Sequence, residues 1–337
     1  MESPRGKPGP VVAGVEITRR CNLACPHCYT AAGKELDGEM TTAECKAILE
    51  ALASLGTSLI GWTGGEPLLR DDLEDLAAHA RALGMRSSVT TNGVLLDDPR
   101  ARSLEASGMT SVQVSIDGST AERNRRMRGA TDEEFARALE GVRAARRAGL
   151  RVHLAMVLTR ESVDDGPAYL DLARAEIVDS VRFCGFVPSG RGRGRGNADR
   201  LSFSGGRGPL REFVREALAD GALRAQFDPA VGPLPPRFAF HKCVAGVETL
   251  YLSCRGDVYP CTSLLDRRFV VGNVRERPLE EIWSDPAMSR IADLDRDAIE
   301  GECRACPHFS SCRGGCRGVT FAYTRDLRAS FPMCLRG

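Results

Sequence analysis

The first half of the chain alternates short apolar runs, rich in β-branched residues, with longer segments of helical periodicity. The apolar runs predict six strands, at Val12–Thr18, Ser58–Gly64, Arg86–Asn92, Ser111–Asp117, Arg151–Thr159 and Ser180–Phe186. Helices are predicted between them, for example at Thr41–Leu55, Asp71–Leu83 and Thr131–Ala148, each of which ends before a glycine. Strands and helices that alternate at these lengths form a parallel sheet through right-handed crossovers. We therefore predict an α/β fold, a partial (β/α)6 TIM barrel, with its chemistry at the carboxyl ends of the strands.

The composition of the chain changes after the sixth predicted strand. Residues 187–209 are rich in Gly, Arg and Ser and predict a loop, which is followed by a short helix near Pro209–Leu223. Eight of the 13 cysteines come after residue 240. These changes predict four segments: an N-terminal tail at 1–11, the partial barrel at 12–205, a linker with a short helix at 206–237 and a cysteine-rich domain at 238–337.

Charge and hydropathy exclude several classes of partner. The 337 residues carry a formal net charge of +1, which gives no electrostatic basis for binding nucleic acid or a membrane surface. No apolar run is long enough to span a bilayer, and residues 1–10 do not form a signal peptide. We therefore predict a cytoplasmic protein without a nucleic-acid or membrane partner. Because the cytosol keeps thiols reduced, 13 cysteines indicate metal or cluster ligation rather than disulfides.

Three cysteines follow the first predicted strand in a C-x3-C-x2-C pattern, at Cys21, Cys25 and Cys28. Three thiolates on a four-iron cluster leave one iron open to bind a substrate or cosubstrate. The alternative is a structural zinc loop, which needs a fourth ligand. His27 is too tightly placed between two of the cysteines to be that ligand. The spacing therefore favours a cluster with an open iron.

Polar residues end the next three predicted strands. The second strand ends in Gly64-Gly65-Glu66-Pro67, where two glycines allow close approach of the backbone to a ligand and Glu66 offers an acceptor for an ammonium group. The third ends in Thr91-Asn92-Gly93. The fourth ends in Ser115-Ile116-Asp117-Gly118, with a hydroxyl and a carboxylate suited to a ribose. Each motif is common on its own, but together they lie at the same end of the barrel as the cysteines.

Taken in order, these motifs resemble those of radical S-adenosylmethionine (radical SAM) enzymes, over residues 12–186. The resemblance implies that Cys21, Cys25 and Cys28 hold a 4Fe–4S cluster, whose open iron is chelated by the amino and carboxylate groups of SAM. An electron from a reducing partner such as flavodoxin or ferredoxin would cleave SAM to a 5′-deoxyadenosyl radical, which takes a hydrogen atom from a substrate.

The same resemblance implies a set of SAM contacts around this cluster. They are His27, Gly64, Gly65, Glu66, Asn92, Ser115, Asp117 and Arg128. Glu66 and the two glycines before it would hold the SAM amino group. Ser115 and Asp117 would contact the methionine or ribose part, and His27 would lie against the adenine. Arg128 matches the family arginine that neutralises the SAM carboxylate.

The C-terminal cysteines form a second pattern. It reads Cys243-x12-Gly256-x4-Cys261, then Cys303-x2-Cys306-x5-Cys312-x3-Cys316, then Cys334. This pattern resembles the seven-cysteine SPASM extension of the radical SAM family, which contains a β-hairpin and short helices. The resemblance implies two auxiliary 4Fe–4S clusters. Their ligands would be Cys243, Cys261 and Cys316 for the first, and Cys303, Cys306, Cys312 and Cys334 for the second.

The first auxiliary cluster lacks a fourth cysteine at the position used by some relatives, which is Thr249 here. Cys254 lies in the same hairpin and is one candidate for that ligand. The direction of its side chain on the strand would decide the matter. A pair of zinc sites is the alternative for the whole set of C-terminal cysteines. The two remaining cysteines, Cys45 and Cys184, are interpreted as core thiols, with lumen exposure of Cys184 the alternative.

Three arginines in the loop after the sixth strand are candidates for substrate binding. Arg191, Arg193 and Arg195 either form a solvated loop or clamp a substrate carboxylate or phosphate at the barrel mouth, since guanidinium groups bind such anions at two points.

Three features bear on the substrate. Twenty residues precede Cys21, so no fused leader-peptide-binding domain is expected there. Thr262 stands where sulfatase maturases have a catalytic aspartate. The stretch from Cys21 to Gly93 and the PSGRG turn resemble haem-modifying members and small-molecule relatives such as cytosylglucuronate decarboxylase. These features favour modification of a small carboxylated metabolite, by decarboxylation or a related oxidation. The alternatives are a SPASM peptide maturase that forms thioether or carbon–carbon cross-links, and a non-enzymatic zinc-binding or electron-transfer protein.

Overall fold

The strands of this protein form a single sheet in the computed structural model, which describes residues 9–194, 196–203, 207–219, 223–232 and 243–335. The strands in these ranges are β1 Val12–Glu16, β2 Leu59–Thr63, β3 Arg86–Thr91, β4 Met109–Ser115, β5 Arg151–Leu158, β6 Ser180–Gly185, β7 Ala225–Phe227, β8 Thr249–Leu252, β9 Asp257–Tyr259 and β10 Gly272–Asn273. Their order is β10-β9-β8-β1-β2-β3-β4-β5-β6-β7. The pairs from β8 through β1 to β7 are parallel, whereas β9 pairs antiparallel with β8 and β10. The predicted α/β class and partial barrel are confirmed.

Helices connect the strands and cover the outer face of the sheet. Those in the described ranges are α1 Thr42–Ser54, α2 Leu73–Ala82, α3 Asp98–Ala106, α4 Ala121–Arg128, α5 Asp132–Arg147, α6 Gly166–Ala175, α7 Asn197–Leu201, α8 Gly208–Ala219, α9 Leu279–Trp283, α10 Pro286–Ser289, α11 Glu302–Ala305, α12 Phe309–Cys312 and α13 Arg317–Thr324. Thr41 and Thr131 begin α1 and α5 in capping boxes with Glu44 and Glu134. Each box satisfies backbone N–H groups of the first turn, which fixes where the helix starts.

The cysteine-rich domain joins the barrel through the sheet itself. Its strand β8 pairs with β1 in parallel, with Val12 opposite Thr249 and Val15 opposite Leu252. On the other edge, β7 pairs with β6. The sequence analysis predicts neither pairing. Because β1 and β8 run in the same direction, the chain leaves both strands at the edge of the sheet where the first cysteine loop lies.

The two faces of the sheet differ in composition because successive residues of a strand point to opposite sides. Trp62, Val112 and Phe183 are fully buried in the large core between the sheet and the helices. The alternate positions, such as Ser88 and Gln113, are small or polar and partly exposed. These positions line the lumen of the partial barrel, which is therefore an accessible polar space rather than a packed core.

The segment predicted as a loop at 187–209 is more ordered than its composition indicates. It contains a 3-10 turn at Gly190–Arg193 and the helix α7. Gly190 has a φ of +51° and packs against the backbone of Cys28 and Tyr29, where a side chain would overlap. Contact with the cysteine loop therefore orders this segment. None of the helices in the described part of the chain is long and apolar enough to cross a membrane.

Candidate active site

The three N-terminal cysteines lie together in the loop after β1. Cys21, Cys25 and Cys28 pack with Leu23 and Ala130 in one small cluster at the barrel mouth. Burial raises the pKa of Cys21 and of Cys25, and the neighbouring thiols raise both further. Thiols in such a place ionise when a metal centre supplies compensating positive charge. The group is therefore suited to a metal cluster rather than to free thiolate chemistry.

The two glycines after β2 bring this strand against the cysteine loop. Gly64 has a φ of +149°, and a Cβ on it would overlap the carbonyl oxygen of Thr18. A Cβ on Gly65 would overlap the carbonyl of Arg20, immediately before the first cysteine. The N–H of Gly65 donates to Thr18 O at 2.8 Å, and the N–H of Glu66 donates to Arg20 O at 2.8 Å. The glycines are required by this close approach, and both stay partly exposed.

The side chain of Glu66 is not placed for its predicted role, which was to hold the SAM amino group. Its side chain is fully buried, and its carboxylate accepts hydrogen bonds from Thr91 Oγ1 at 2.7 Å, Asn92 N at 2.7 Å and Leu68 N at 3.0 Å. Burial raises its pKa, while these bonds oppose the shift. The carboxylate therefore ties the end of β2 to the end of β3, and it has no accessible surface for a SAM amino group.

Asn92 links that network to the cysteine loop. Its Nδ2 donates to Asn22 Oδ1 at 2.7 Å, and its Oδ1 accepts from Val94 N at 3.0 Å. Asn22 is not among the site residues predicted from the sequence. The available signal was its place directly after the first cysteine, where a side-chain amide can fix the loop.

Asp117 forms a buried ion pair beside the cysteines. Its Oδ2 accepts from Arg128 Nη1 at 2.7 Å and lies 3.3 Å from His27 Nε2, and its Oδ1 accepts from Val157 N at 2.6 Å. Burial alone would raise the pKa of Asp117, but His27 and Arg128 hold it well below its usual range. The carboxylate is therefore ionised and fully engaged in positioning the side chains of Arg128 and His27.

His27 and Arg128 are both held at the edge of the cysteine loop. His27 Nδ1 lies 2.7 Å from Met127 O. Nε of Arg128 is buried without a hydrogen-bond partner among the described residues. An unpaired donor on a buried cation is costly, so a partner of negative charge is expected there. The carboxylate of SAM fits this requirement, and the grouped thiols fit a 4Fe–4S cluster.

Arg191 corrects the prediction of a substrate clamp in the loop after β6. Its Nε donates to Cys25 O at 2.9 Å, its Nη1 donates to Ala32 O, and its N–H donates to Cys28 O at 3.0 Å. The guanidinium is committed to backbone carbonyls of the cysteine loop, so Arg191 positions that loop. The side chain of Arg193 is exposed and lies 4.0 Å from Asp266. Arg195 lies outside the described residues.

The C-terminal cysteines lie in two groups. Cys261 is close enough to Cys243 and Cys316 for these thiols to raise its pKa, after the larger effect of burial. Cys312 has the same relation to Cys303, Cys306 and Cys334. The thiols of each set that the resemblance implies are therefore close enough to interact electrostatically, and their role as cluster ligands stays a prediction. None of the 13 cysteines forms a disulfide.

Cys254 is separate from both groups, which corrects its role as a candidate fourth ligand. Its backbone N–H donates to Glu16 at 3.2 Å, and the charges that affect its thiol are Glu16, Glu39 and Arg19. Cys254 follows the end of β8, whereas Cys261 lies opposite the start of that strand. Cys261 is next to Thr249, because the hydroxyl of Thr249 donates to the carbonyl oxygen of the preceding residue, Pro260. Five residues of extended chain place the two ends roughly 16 Å apart.

A Cys254→Ser variant is therefore expected to keep its full iron content. Cys243→Ser is the matched variant, and we expect it to lose about a third of the iron, the share of one cluster of three. The measurement is iron and sulfide per chain after anaerobic reconstitution. If Cys254→Ser loses as much iron as Cys243→Ser, the separation described here does not hold in the loaded protein.

Comparison with known proteins identifies the family. The model of the radical SAM superfamily matches residues 15–173, and SPASM, an iron–sulfur cluster-binding domain, matches residues 243–307. The chain is 33% identical to Fe-coproporphyrin III synthase of Methanosarcina barkeri, over 94% of this chain and 86% of that protein. It is 31% identical to the mycofactocin maturase MftC of Mycobacterium tuberculosis, over 99% and 85%.

A solved structure has the same fold. SuiB of Streptococcus suis, with bound S-adenosylmethionine, matches with a TM-score of 0.75 and 18% identity, covering 96% of this chain and 76% of that one. The chain belongs to the radical SAM superfamily, and it is a radical SAM enzyme with a SPASM domain. Its cofactors are SAM and 4Fe–4S clusters. The predicted family, fold and cofactors are confirmed, and membership sets aside the non-enzymatic alternative.

Proposed function

We propose that this enzyme modifies a small carboxylate-bearing metabolite, with decarboxylation or a related oxidation as the outcome. When bound, the SAM-binding cluster and SAM supply a 5′-deoxyadenosyl radical that takes a hydrogen atom from the substrate. Cys21, Cys25 and Cys28 hold this cluster. The backbone of Gly64 and Gly65 accepts the SAM amino group.

The remaining SAM contacts fall to side chains at the ends of β1 and β4. Arg128 pairs with the SAM carboxylate through its free Nε, and Ser115 and His27 contact the ribose and adenine parts. Glu66, Asn92 and Asp117 act indirectly, because their side chains are buried and hydrogen-bonded within the protein. They keep the strand ends and the side chains of Arg128 and His27 in place.

The auxiliary clusters occupy the two C-terminal groups of cysteines. Cys243, Cys261 and Cys316 hold the first, with Thr249 beside the position that lacks a cysteine. The second has four thiolates, from Cys303, Cys306, Cys312 and Cys334. Ligation by so many reduced thiols supports a cytoplasmic enzyme that receives electrons from a flavodoxin or ferredoxin.

Arg182 on β6 is the observation that carries the proposed substrate class. Val181 and Phe183 on either side of it are fully buried in the core, so Arg182 points to the lumen, where 47% of its side chain is exposed. The sheet register places Arg182 beside Ala155, and Ala155 beside Ser115. Two strand spacings, about 10 Å, therefore separate Arg182 on β6 from Ser115 on β4. The only side chain between these two positions is the methyl group of Ala155 on β5.

The neighbours of Arg182 position its guanidinium but do not occupy all of its hydrogen-bond donors. Asp228 lies 4.0 Å from it, beyond hydrogen-bonding distance, and accepts instead from Ala230 N at 2.6 Å. The thiol of Cys184 interacts with both charged groups from the next lumen position. A half-exposed guanidinium that keeps donors beyond its contact with Cys184 is suited to bind a carboxylate at two points. We propose this site as an alternative to the carboxylate clamp predicted at Arg191, Arg193 or Arg195.

The relatives support a substrate with carboxylate groups. Fe-coproporphyrin III synthase is named for its product, a porphyrin with carboxylate side chains, and the chain covers most of its length. The second candidate is peptide maturation, which the similarity to a mycofactocin maturase over nearly the whole chain favours. A peptide substrate could present its carboxylate to the same lumen, so the substrate must be tested directly.

The test separates radical formation from substrate binding. Anaerobic reconstituted enzyme with dithionite and SAM is expected to release 5′-deoxyadenosine, and a haem-precursor porphyrin deuterated in its carboxylate-bearing side chains is expected to transfer deuterium into it. Arg182→Gln is expected to keep the basal release but to lose deuterium transfer at least ~10-fold, because a charged hydrogen-bonded contact contributes about 1.5–3 kcal/mol. Arg86→Gln, at the opposite end of the sheet, is the matched control.

Three results would contradict parts of this proposal. Enzyme that releases no 5′-deoxyadenosine would refute the assigned radical chemistry. Basal release without deuterium transfer from the labelled porphyrin precursor, together with transfer from a labelled precursor peptide, would establish the peptide candidate instead. Equal deuterium transfer by Arg182→Gln and the wild type would remove the role of Arg182 in substrate binding.

A further inference from the structure

A buried arginine lies between the two groups of C-terminal cysteines. Arg317 is the first residue of α13, directly after Cys316, and only 2% of it is exposed. Its guanidinium interacts electrostatically with Cys243 and Cys316 of the first group and with Cys303 and Cys312 of the second. Nothing in the sequence marks this residue, because an arginine beside a cysteine has no distinctive pattern.

Part of the guanidinium has a structural role. Nη1 of Arg317 donates to Leu327 O at 3.0 Å and to Ala329 O at 2.8 Å, which fixes the chain after α13. Nε and Nη2, in contrast, are buried with no hydrogen-bond partner among the described residues. Leaving a buried donor unpaired costs about 1–3 kcal/mol, and more when the group is charged. Two such donors on one side chain indicate that a negatively charged partner belongs on their side.

The backbone makes room for this side chain. Gly314 has a φ of +73°, and a Cβ there would lie 3.0 Å from Nη2 and 3.5 Å from the central carbon of the guanidinium. The loop between Cys312 and Cys316 therefore wraps around Arg317 with a glycine at the point of contact. Burial lowers the pKa of Arg317 from its high usual value, while the surrounding cysteines raise it. Since arginine stays protonated in proteins, a fixed positive charge lies between the two groups.

We propose that Arg317 donates its Nε–H and Nη2–H groups to the sulfur atoms of the auxiliary clusters and raises the reduction potential of at least one of them. This inference rests on the ligand sets given under the proposed function but not on the substrate. A positive charge and hydrogen bonds to sulfur stabilise the reduced form of an iron–sulfur cluster, which carries more negative charge. Arg317 thereby makes the auxiliary clusters easier to reduce.

The test is a redox titration of the reconstituted holoenzyme, followed by EPR of the reduced clusters. We expect Arg317→Gln to shift the potential of at least one auxiliary cluster to a more negative value. Arg317→Lys, which keeps the charge but loses the planar set of donors, is expected to shift it less. The SAM-binding cluster keeps its potential in both variants. Arg313→Gln removes an exposed arginine from the same loop and is the matched control.

A second measurement uses the wild type, so the proposal can still be tested if the variants do not fold. Enzyme labelled with ¹⁵N only in the arginine guanidinium groups is expected to show ¹⁵N hyperfine coupling to a reduced auxiliary cluster. Unchanged auxiliary potentials in loaded Arg317→Gln would overturn the proposal, because a purely structural role moves stability and not potential. If that variant does not hold its clusters, absence of the ¹⁵N coupling in the wild type would overturn it. Failure to cleave SAM would instead concern the proposed function.

Discussion

Replacing Cys25 by Ala is expected to abolish reductive cleavage of SAM while leaving most of the iron in the protein. Cys25 is the most enclosed of the three grouped thiols, and the carbonyl of this residue also holds Arg191. Without its sulfur the first cluster has two protein ligands, so we expect about a third of the iron to be lost. The rate of 5′-deoxyadenosine formation should fall at least ~10³-fold, or about 4 kcal/mol of transition-state stabilisation.

Cys45→Ala is the matched control for this experiment. Cys45 is also a buried cysteine, but it lies on the core face of α1 with Ile48, Leu49 and Leu52. Its loss should cost about 1 kcal/mol of stability and leave both the iron content and SAM cleavage unchanged. Both variants are measured for iron, sulfide and 5′-deoxyadenosine under anaerobic conditions. Cleavage by Cys25→Ala at the wild-type rate would remove this residue from the radical-generating site.

The barrel was predictable because its signals are local. Each of β1 to β6 is a short β-branched run, and threonine caps with glutamate three residues later mark the starts of α1 and α5. The grouping of the cysteines was predictable only through resemblance to a family, since spacing alone does not say which thiols meet. The strand β7 has three residues with no buried position, so no apolar pattern marks it.

Long-range contacts account for what the sequence analysis missed. The pairing of β8 with β1 joins residues from opposite ends of the chain, and nothing local to either strand specifies it. Cys254 was ambiguous because its distance from Cys261 depends on which end of the hairpin each one occupies. Arg191 resembled a solvated loop residue, yet backbone carbonyls of the cysteine loop satisfy its guanidinium. In each case the sequence shows the residue itself but not the distant residue that it contacts.

Asp117→Ala is expected to lower the free energy of unfolding by about 3–5 kcal/mol, because it leaves Arg128 as an uncompensated cation in a nearly buried site. Asp117 is 1% exposed and Arg128 is 12% exposed at its side chain, so water cannot replace the lost carboxylate. The variant also removes the acceptor for Val157 N, which joins the end of β5 to this pair. Urea unfolding of the reconstituted enzyme under anaerobic conditions measures the loss.

A double variant separates stability from function at this pair. Asp117→Asn combined with Arg128→Met removes both charges while keeping similar volumes, and such replacements of buried ion pairs are often neutral in stability. We therefore expect the double variant to recover most of the stability lost in Asp117→Ala. SAM cleavage should stay low, because the free Nε of Arg128 is gone and His27 has lost its carboxylate partner. Recovery of both stability and SAM cleavage would show that the Asp117–Arg128 pair only supports the fold. Recovery of neither would show that the contact of Val157 at the end of β5 depends on the charge of Asp117 itself.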